Sequence, residues 1–134
     1  MDFQEIKKKF DELNITPSML GDNFENYCEN NTEDVDYSDS IKINIFGEDI
    51  VEETGSYNDL SKKIDKRFRE IFGDYSYNRT RNNDDVTVIF CFQDHDVYVM
   101  LDGWYSSYRG DDFSDATFKQ VRPQEKVIIT YKQV

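Results

Sequence analysis

The sequence predicts an α+β fold, in which an antiparallel sheet of about four or five strands carries two or three helices on one face. Three observations support this prediction. Apolar residues recur at helical spacing early in the chain, and large apolar residues recur at every second position later, over 86–92 and 97–101. With 37% hydrophobic and 15% aromatic residues, the chain can fill a core. We predict one domain, 1–134, with a helical, acidic N-terminal region at 1–73 and an antiparallel β region at 86–134.

Two helices are predicted near the N-terminus. The first occupies residues 2–13, where Asp2 and Glu5 can form a capping box. Its apolar face comprises Phe3, Ile6, Phe10 and Leu13. The second begins at Thr16 and Pro17, an N-cap followed by a first-turn proline. Its apolar face comprises Leu20, Phe24 and Tyr27.

Residues 57–72 carry the strongest helical pattern. Their apolar positions are Tyr57, Leu60, Ile64, Phe68 and Ile71. Ser56 and Asp59 can cap the start, and Gly73 can adopt a left-handed conformation just past the end. Basic residues occupy the other side, namely Lys62, Lys66 and Arg69, flanked by Lys63 and Arg67. Because the surrounding charge is negative, we interpret this basic side as a solvated face that docks on acids of the first 56 residues, not as a nucleic-acid site.

Strands are predicted where apolar residues recur at every second position. The predicted strands cover residues 41–45, 86–92, 97–101, 116–122 and 126–131. The strand at 86–92 is apolar on both faces, which indicates a central position in the sheet. A hairpin loop at 93–96 joins it to the next strand. Residues 29–40 are predicted to be an acidic loop, and residues 74–85 a polar connection.

The charge balance restricts the class of partner. The net charge is -12, which opposes direct binding to nucleic acid or anionic lipid and favours a basic protein. The chain has no 18-residue apolar run, and its first residues are acidic, so we expect a soluble, intracellular protein. Cys28 and Cys91 belong to no paired motif and are expected to be reduced. No cofactor is expected, and the oligomeric state stays open.

Acidic residues are concentrated in the first half of the chain. Residues 22–53 contain 11 acids and one base, Lys42. Spread over roughly 30 Å, these charges have about half the density of duplex DNA, which carries one phosphate per ~1.7 Å, and could still compete for a cationic groove. The alternative is a solvated surface that maintains solubility. The candidate partner-binding acids are Glu29, Glu33, Asp34, Asp36, Asp39, Glu48, Asp49, Glu52 and Glu53.

An aromatic run at 103–108 is the second candidate for partner binding. It contains the chain's single tryptophan, and binding energy at interfaces is concentrated in Trp, Tyr and Arg. The candidate anchors are Trp104, Tyr105 and Tyr108. The alternative is that the tryptophan packs at the end of the core.

The chain's one histidine is the residue around which a metal site or a catalytic site could form. His95 stands between Asp94 and Asp96, and Cys91 or Asp102 could complete a metal-dependent site. On a hairpin, however, His95 points away from its two neighbours, so we interpret it as a loop residue. The apolar neighbours of Cys91 predict a buried, inert thiol. No catalytic residue and no metal ligand is assigned, and an enzyme remains an alternative.

The C-terminal third resembles a pattern of small acidic proteins of uncharacterised function that bacteriophages and mobile elements of low-GC bacteria encode. This resemblance implies a location in the cytoplasm of a bacterial host. The resemblance lies in residues 95–108, 121–123 and 126–131. In size and charge the chain is also similar to anti-CRISPR proteins and other DNA mimics. Together with the acidic surface, this resemblance implies a non-enzymatic, phage-type inhibitor that occupies a basic nucleic-acid-binding site on a host defence protein or nuclease. The alternatives are an immunity protein that neutralises a basic toxin, a virion or assembly protein, and a metal-dependent enzyme.

Overall fold

A computed structural model describes residues 1–35, 39–125 and 129–134, which form four α-helices and two antiparallel sheets. The helices are α1 (Phe3–Glu12), α2 (Pro17–Gly21), α3 (Asn23–Asn31) and α4 (Tyr57–Phe72). Sheet A contains β1 (Glu33–Asp34), β2 (Ile41–Ile45) and β3 (Glu48–Glu52). Sheet B contains β4 (Tyr75–Asn82), β5 (Asp85–Phe92), β6 (Val97–Ser106), β7 (Gly110–Asp112) and β8 (Lys119–Val121). The α+β class is confirmed, with the strands divided between two sheets.

The helix boundaries follow local capping signals. The capping box of Asp2 and Glu5 starts α1, and the side chain of Ser56 caps α4, as predicted. Gly73 ends α4 with a φ of 82°, a value that glycine adopts without strain. Among the described residues, no helix combines the length and the apolar character that a bilayer-spanning segment requires.

The second predicted helix is in fact two helices. Asn23 has a φ of 56°, and this left-handed residue breaks the chain between α2 and α3. Asparagine tolerates such a conformation because its short polar side chain can bond locally, here by accepting a hydrogen bond from the Asn26 N–H. The predicted acidic loop at 29–40 is also wrong in part, since α3 continues to Asn31 and β1 follows it. Residues 36–38 lie outside the described residues.

Sheet B contains two strands that the apolar pattern did not predict, β4 and the short β7. β4 occupies most of the predicted polar connection and pairs with β5 along its whole length, so that β5 is central as predicted. Nearly every side chain of β4 is exposed, because it is an edge strand with little to bury. In sheet A, β3 was missed for a similar reason, and it pairs with β2 through a turn at Phe46 and Gly47. The N-terminal region, residues 1–73, is therefore not helical throughout.

The C-terminal strands are shorter than predicted. Within 116–122, only β8 is a strand, and it pairs with β6 beside β7. Of the strand predicted at 126–131, residues 126–128 lie outside the described residues, while 129–131 are exposed and have no regular structure.

α4 joins the two sheets through one hydrophobic core. The ring of Phe68 lies 6.4 Å from Phe90 and 6.1 Å from Phe92 of β5, and 5.9 Å from Phe46 in the turn of sheet A. On the other side of the helix end, Phe72 packs edge-on against Phe10 of α1 at 5.2 Å. Helices and sheet A therefore lie on the same side of sheet B.

The two faces of sheet B differ in burial. On the side facing the helices, Val86, Val88, Phe90 and Phe92 are buried, as predicted. The opposite side is half-buried or exposed, and we call it the open face. In β5 and β6 it comprises Thr87, Ile89, Cys91, Tyr98, Met100, Asp102 and Trp104.

Candidate functional site

The outer face of sheet A brings two of the predicted acids together. Glu33 lies across from Lys42, and Asp49 lies across from Asn44, whose Nδ2 donates to Asp49 Oδ1 at 2.9 Å. With Tyr27 and Asn31 of α3, these four side chains line a polar cleft of about 230 Å³. The cleft is open and polar, and it offers two carboxylates beside a single ammonium group.

Six predicted acids are exposed in this half of the molecule. They are Glu29, Glu33, Asp34, Asp39, Asp49 and Glu53, and we call them the acidic surface. None of them forms an ion pair with another described residue. A seventh, Asp36, lies outside the described residues. The acidic surface keeps its charge available to solvent.

Glu48 and Glu52 form ion pairs with residues of α4. Glu52 Oε2 lies 2.9 Å from Lys63 Nζ, and Glu48 Oε1 accepts from Arg67 Nε at 2.9 Å. The basic flank of α4 therefore does dock on acids of the first 56 residues, as predicted. Glu52 is only 7% exposed, so its prediction as a partner-binding acid is wrong. Lys63 also donates to the carbonyl of Val51, which fixes β3 against α4.

Glu52 should make stability depend on pH in the acid range. Hydrogen bonds from Lys63 and then from the Thr54 N–H lower the pKa of Glu52. The stabilisation is therefore complete above the ordinary glutamate pKa of about 4.3 and is lost as pH falls through the lowered value. We expect Glu52→Gln to lower Tm at pH 7, with the difference from the wild type shrinking below pH ~4.

Thermal denaturation followed by circular dichroism from pH 7 to pH 3 tests this expectation. Glu53→Gln is the matched control, because Glu53 is the exposed neighbour and has no ion pair within the described residues. A Tm difference for Glu52→Gln that stays constant down to pH 3 would contradict the role given to this carboxylate.

The predicted aromatic anchors occupy different environments. Trp104 lies on the open face and is 61% exposed, so its interpretation as packing at the end of the core is wrong. Tyr105 is on the helix-facing side, where the guanidinium of Arg81 stacks 3.5 Å from its ring centroid. Tyr108 belongs to the turn between β6 and β7 and is 96% exposed. The end of the core is filled by Phe113, which is buried.

The structure separates the two groups of candidate residues. Trp104 is on the side of sheet B that faces away from the helices, whereas the acidic surface belongs to α3, sheet A and their connections. The acidic surface and Trp104 therefore do not lie on one continuous face of the molecule. Tyr108 is in the turn at the far end of sheet B.

Three carboxylates that the sequence analysis did not select lie where α2 meets sheet B. They belong to Asp22, Asp111 and Asp112. The Tyr77 hydroxyl donates to the carbonyl of Gly21 at 3.1 Å. Burial, and then the charges of Asp111 and Asp112, raise the pKa of Asp22. Across the sheet, Arg79 binds Asp111 through two hydrogen bonds of 2.6 and 2.7 Å. Residues so far apart in the chain gave no local sequence signal.

His95 has a structural role at the end of sheet B. Its Nε2 donates to the carbonyl of Phe72 at 2.9 Å, which leaves Nδ1 to accept from the Met1 amine at 2.8 Å. Asp94 accepts a hydrogen bond from the backbone N–H of Asp74 at 3.0 Å. Among the described residues, no three His, Cys, Asp or Glu side chains converge as metal ligands do.

One of the two thiols, that of Cys91, differs from the sequence expectation. Cys91 was predicted to be buried, but it lies on the open face and is half-buried, because it alternates with the inward-facing Phe90 and Phe92. Cys28 of α3 is fully buried. Burial, and then the charges of Glu25 and Glu29, raise the pKa of Cys28 to about 11, so its thiol stays protonated at neutral pH.

Chemically, the molecule presents carboxylates on one side and an exposed indole on the other. Carboxylates bind cations through charge-assisted hydrogen bonds, and an indole face binds apolar groups or cations. Comparison with known proteins gives no relative: no family model, no curated protein and no solved structure matches this chain.

Proposed function

We propose that this chain is a non-enzymatic binding protein whose acidic surface occupies a basic nucleic-acid-binding site on another protein. A phage-type inhibitor of a host defence protein or nuclease would act in this way. The observation that carries the proposal is the set of six exposed carboxylates that form no ion pair within the described residues.

The chemistry of the acidic surface supports this choice. Lysine and arginine side chains that bind phosphates also bind carboxylates, in both cases through charge-assisted hydrogen bonds. α3 and sheet A hold four of these six carboxylates on regular backbone, so less conformational entropy is lost on binding than with a flexible acidic tail. The four are Glu29, Glu33, Asp34 and Asp49. The ion pairs that Glu48 and Glu52 form with α4 involve none of the six carboxylates of the acidic surface.

The charge balance supports a protein partner. The chain carries a net charge of -12, and a negative field of this kind accelerates the approach of a basic surface while it repels nucleic acid. Electrostatic steering raises the association rate more than it raises affinity. A stable complex would bury about 800 Å² on each partner, which is more than the polar cleft of sheet A alone provides.

Neutralising the acidic surface should abolish capture of nucleic-acid-binding proteins. We expect a fourfold variant to retain less than about a tenth of the partner that the wild type captures from a bacterial lysate, because phosphate-like contacts are lost. Quantitative mass spectrometry at two salt concentrations, with and without competing duplex DNA, measures the effect. The variant combines Glu33→Gln, Asp34→Asn, Asp39→Asn and Asp49→Asn.

A second fourfold variant controls for net charge. It changes the same number of exposed carboxylates at positions outside the acidic surface. These substitutions are Asp11→Asn, Asp84→Asn, Asp115→Asn and Glu125→Gln. The control should capture the partner as the wild type does. The proposal is wrong if both variants behave alike, or if duplex DNA does not compete with the captured protein.

A further inference from the structure

The exposed tryptophan lies between two carboxylates on the open face of sheet B. Trp104 of β6 is directly across from Asp85 of β5 on one side and from Asp112 of β7 on the other. Residues in direct register across an antiparallel pair share one face, with Cβ atoms about 5 Å apart. The indole and the two carboxylates therefore form one row across three strands.

The indole has no stacking partner among the described residues. Its neighbour Tyr105 already carries the guanidinium of Arg81 on its ring, at 3.5 Å. No described ring or cation packs in this way on Trp104, which is 61% exposed. A large aromatic side chain left this accessible forfeits the burial that normally stabilises it. The face of the indole is free to receive a group from outside the chain.

The charges around the indole favour a cation. Asp85 is exposed and forms no ion pair with a described residue. Asp112 is bound by the side chain and backbone of Ser114, and these hydrogen bonds lower the pKa of Asp112, so that it is ionised at neutral pH. Arg109 lines the same small cavity of about 80 Å³, and its charge also lowers the pKa of Asp112. Two carboxylates and one guanidinium leave one net negative charge around the indole, which favours a cation over an anion.

The carboxylate in the next row of open-face side chains, that of Asp102, already has a cationic partner. Asp102 pairs with Lys119 of β8 at 3.4 Å and also accepts from the Thr87 hydroxyl. Beyond it, half-buried apolar side chains follow, including Ile89 and Met100. At ~3.4 Å per residue, Met100 is about 13 Å from Trp104 along β6. A partner segment that lies along β6 would therefore contact the cation site at Trp104 and apolar side chains further along the strand.

We infer that Trp104, Asp85 and Asp112 bind a lysine or arginine side chain of a protein partner. The cation lies over the indole face, and the carboxylates on the two neighbouring strands supply the negative charge around it. This site is on the opposite side of sheet B from the acidic surface, so it constitutes a second docking point, independent of the proposed function. Apolar side chains of the same partner segment pack on Ile89 and Met100.

The single tryptophan makes this site directly measurable. Because the chain contains one Trp, its fluorescence reports on Trp104 alone. We expect an octa-arginine peptide to shift the emission of Trp104 saturably, and an octa-citrulline peptide of the same shape to leave it unchanged. In the Asp85→Asn/Asp112→Asn variant the midpoint should rise by about three- to tenfold, as expected for a cation–π contact supported by ion pairs.

The fourfold variant of the acidic surface separates this inference from the proposed function. It removes twice as many charges but none near Trp104, so its midpoint should stay within about twofold of the wild type. The inference is overturned if octa-arginine does not change the emission, if the double variant binds with an unchanged midpoint, or if the fourfold variant is the more weakened of the two. Should the double variant fail to melt cooperatively, Asp85→Asn alone provides the same comparison.

Discussion

Replacing Phe68 by alanine is expected to lower the free energy of unfolding by about 3–5 kcal/mol. Phe68 is fully buried and is the point where α4 touches every layer of the molecule. Its ring lies 4.8 to 6.4 Å from the centroids of six other rings. They are Phe24, Phe46, Phe72, Tyr75, Phe90 and Phe92.

The loss should be large because the site cannot collapse. The six rings come from α3, the turn of sheet A, α4 itself, β4 and β5, and no one element can move into the cavity without leaving another. Urea denaturation followed by far-ultraviolet circular dichroism measures the change. Tyr108→Ala is the control, and it should stay within about 0.5 kcal/mol of the wild type because Tyr108 is almost fully exposed. A loss below about 1 kcal/mol for Phe68→Ala would show that this ring does not join the layers.

Adding one methyl group at Gly103 should destabilise the protein by about 3 kcal/mol or more. A Cβ atom there would lie 2.4 Å from the carbonyl oxygen of Asp112 and 2.7 Å from the Phe113 ring. The first of these contacts is to backbone, so it can be relieved only if β6 and β7 separate. Gly103→Ala therefore damages the strand pairing that holds Trp104 beside Asp112.

Gly21 supplies the comparison for this prediction. A Cβ atom at Gly21 would lie 2.3 Å from the Phe113 ring, with no backbone atom among the nearest contacts. In a Phe113→Ala background the cost of Gly21→Ala should largely disappear, whereas most of the cost of Gly103→Ala should remain. Urea denaturation of the two double mutants, the three single mutants and the wild type measures both costs. If Phe113→Ala removes the same share of the destabilisation from both glycine variants, the proposed backbone collision at Gly103 is refuted.

Periodicity predicted those elements that bury one face. α1, α4, β2, β5 and β6 each repeat apolar residues at the spacing of their secondary structure, and the structure confirms them. β3 and β4 bury little, and they exist because their backbone groups pair with an apolar neighbour. No pattern within β4 could have revealed this, since the stabilising partner is β5.

The candidate site was predicted only partly. The exposure of Trp104 could have been read from the alternation in β6, because Val97, Val99 and Leu101 point to the core and position 104 is out of phase with them. The burial of Glu52 could not have been read from the sequence. It depends on β3, which was not predicted, and on the pairing of Glu52 with Ile41. The contact of Asp22 with Asp111 and Asp112 depends on how Phe113 packs between two glycines, which is a tertiary property.

The ion pair between Arg79 and Asp111 reveals the curvature of sheet B. β5 and β6 lie between β4 and β7, and in a flat sheet these two strands would be about 14 Å apart. Their side chains nevertheless meet at 2.6 Å on the side that faces the helices. The sheet must therefore bend toward the helices at this end, which makes its outer surface convex. Trp104 stands on that convex surface, so a partner that covered the indole would need a concave surface.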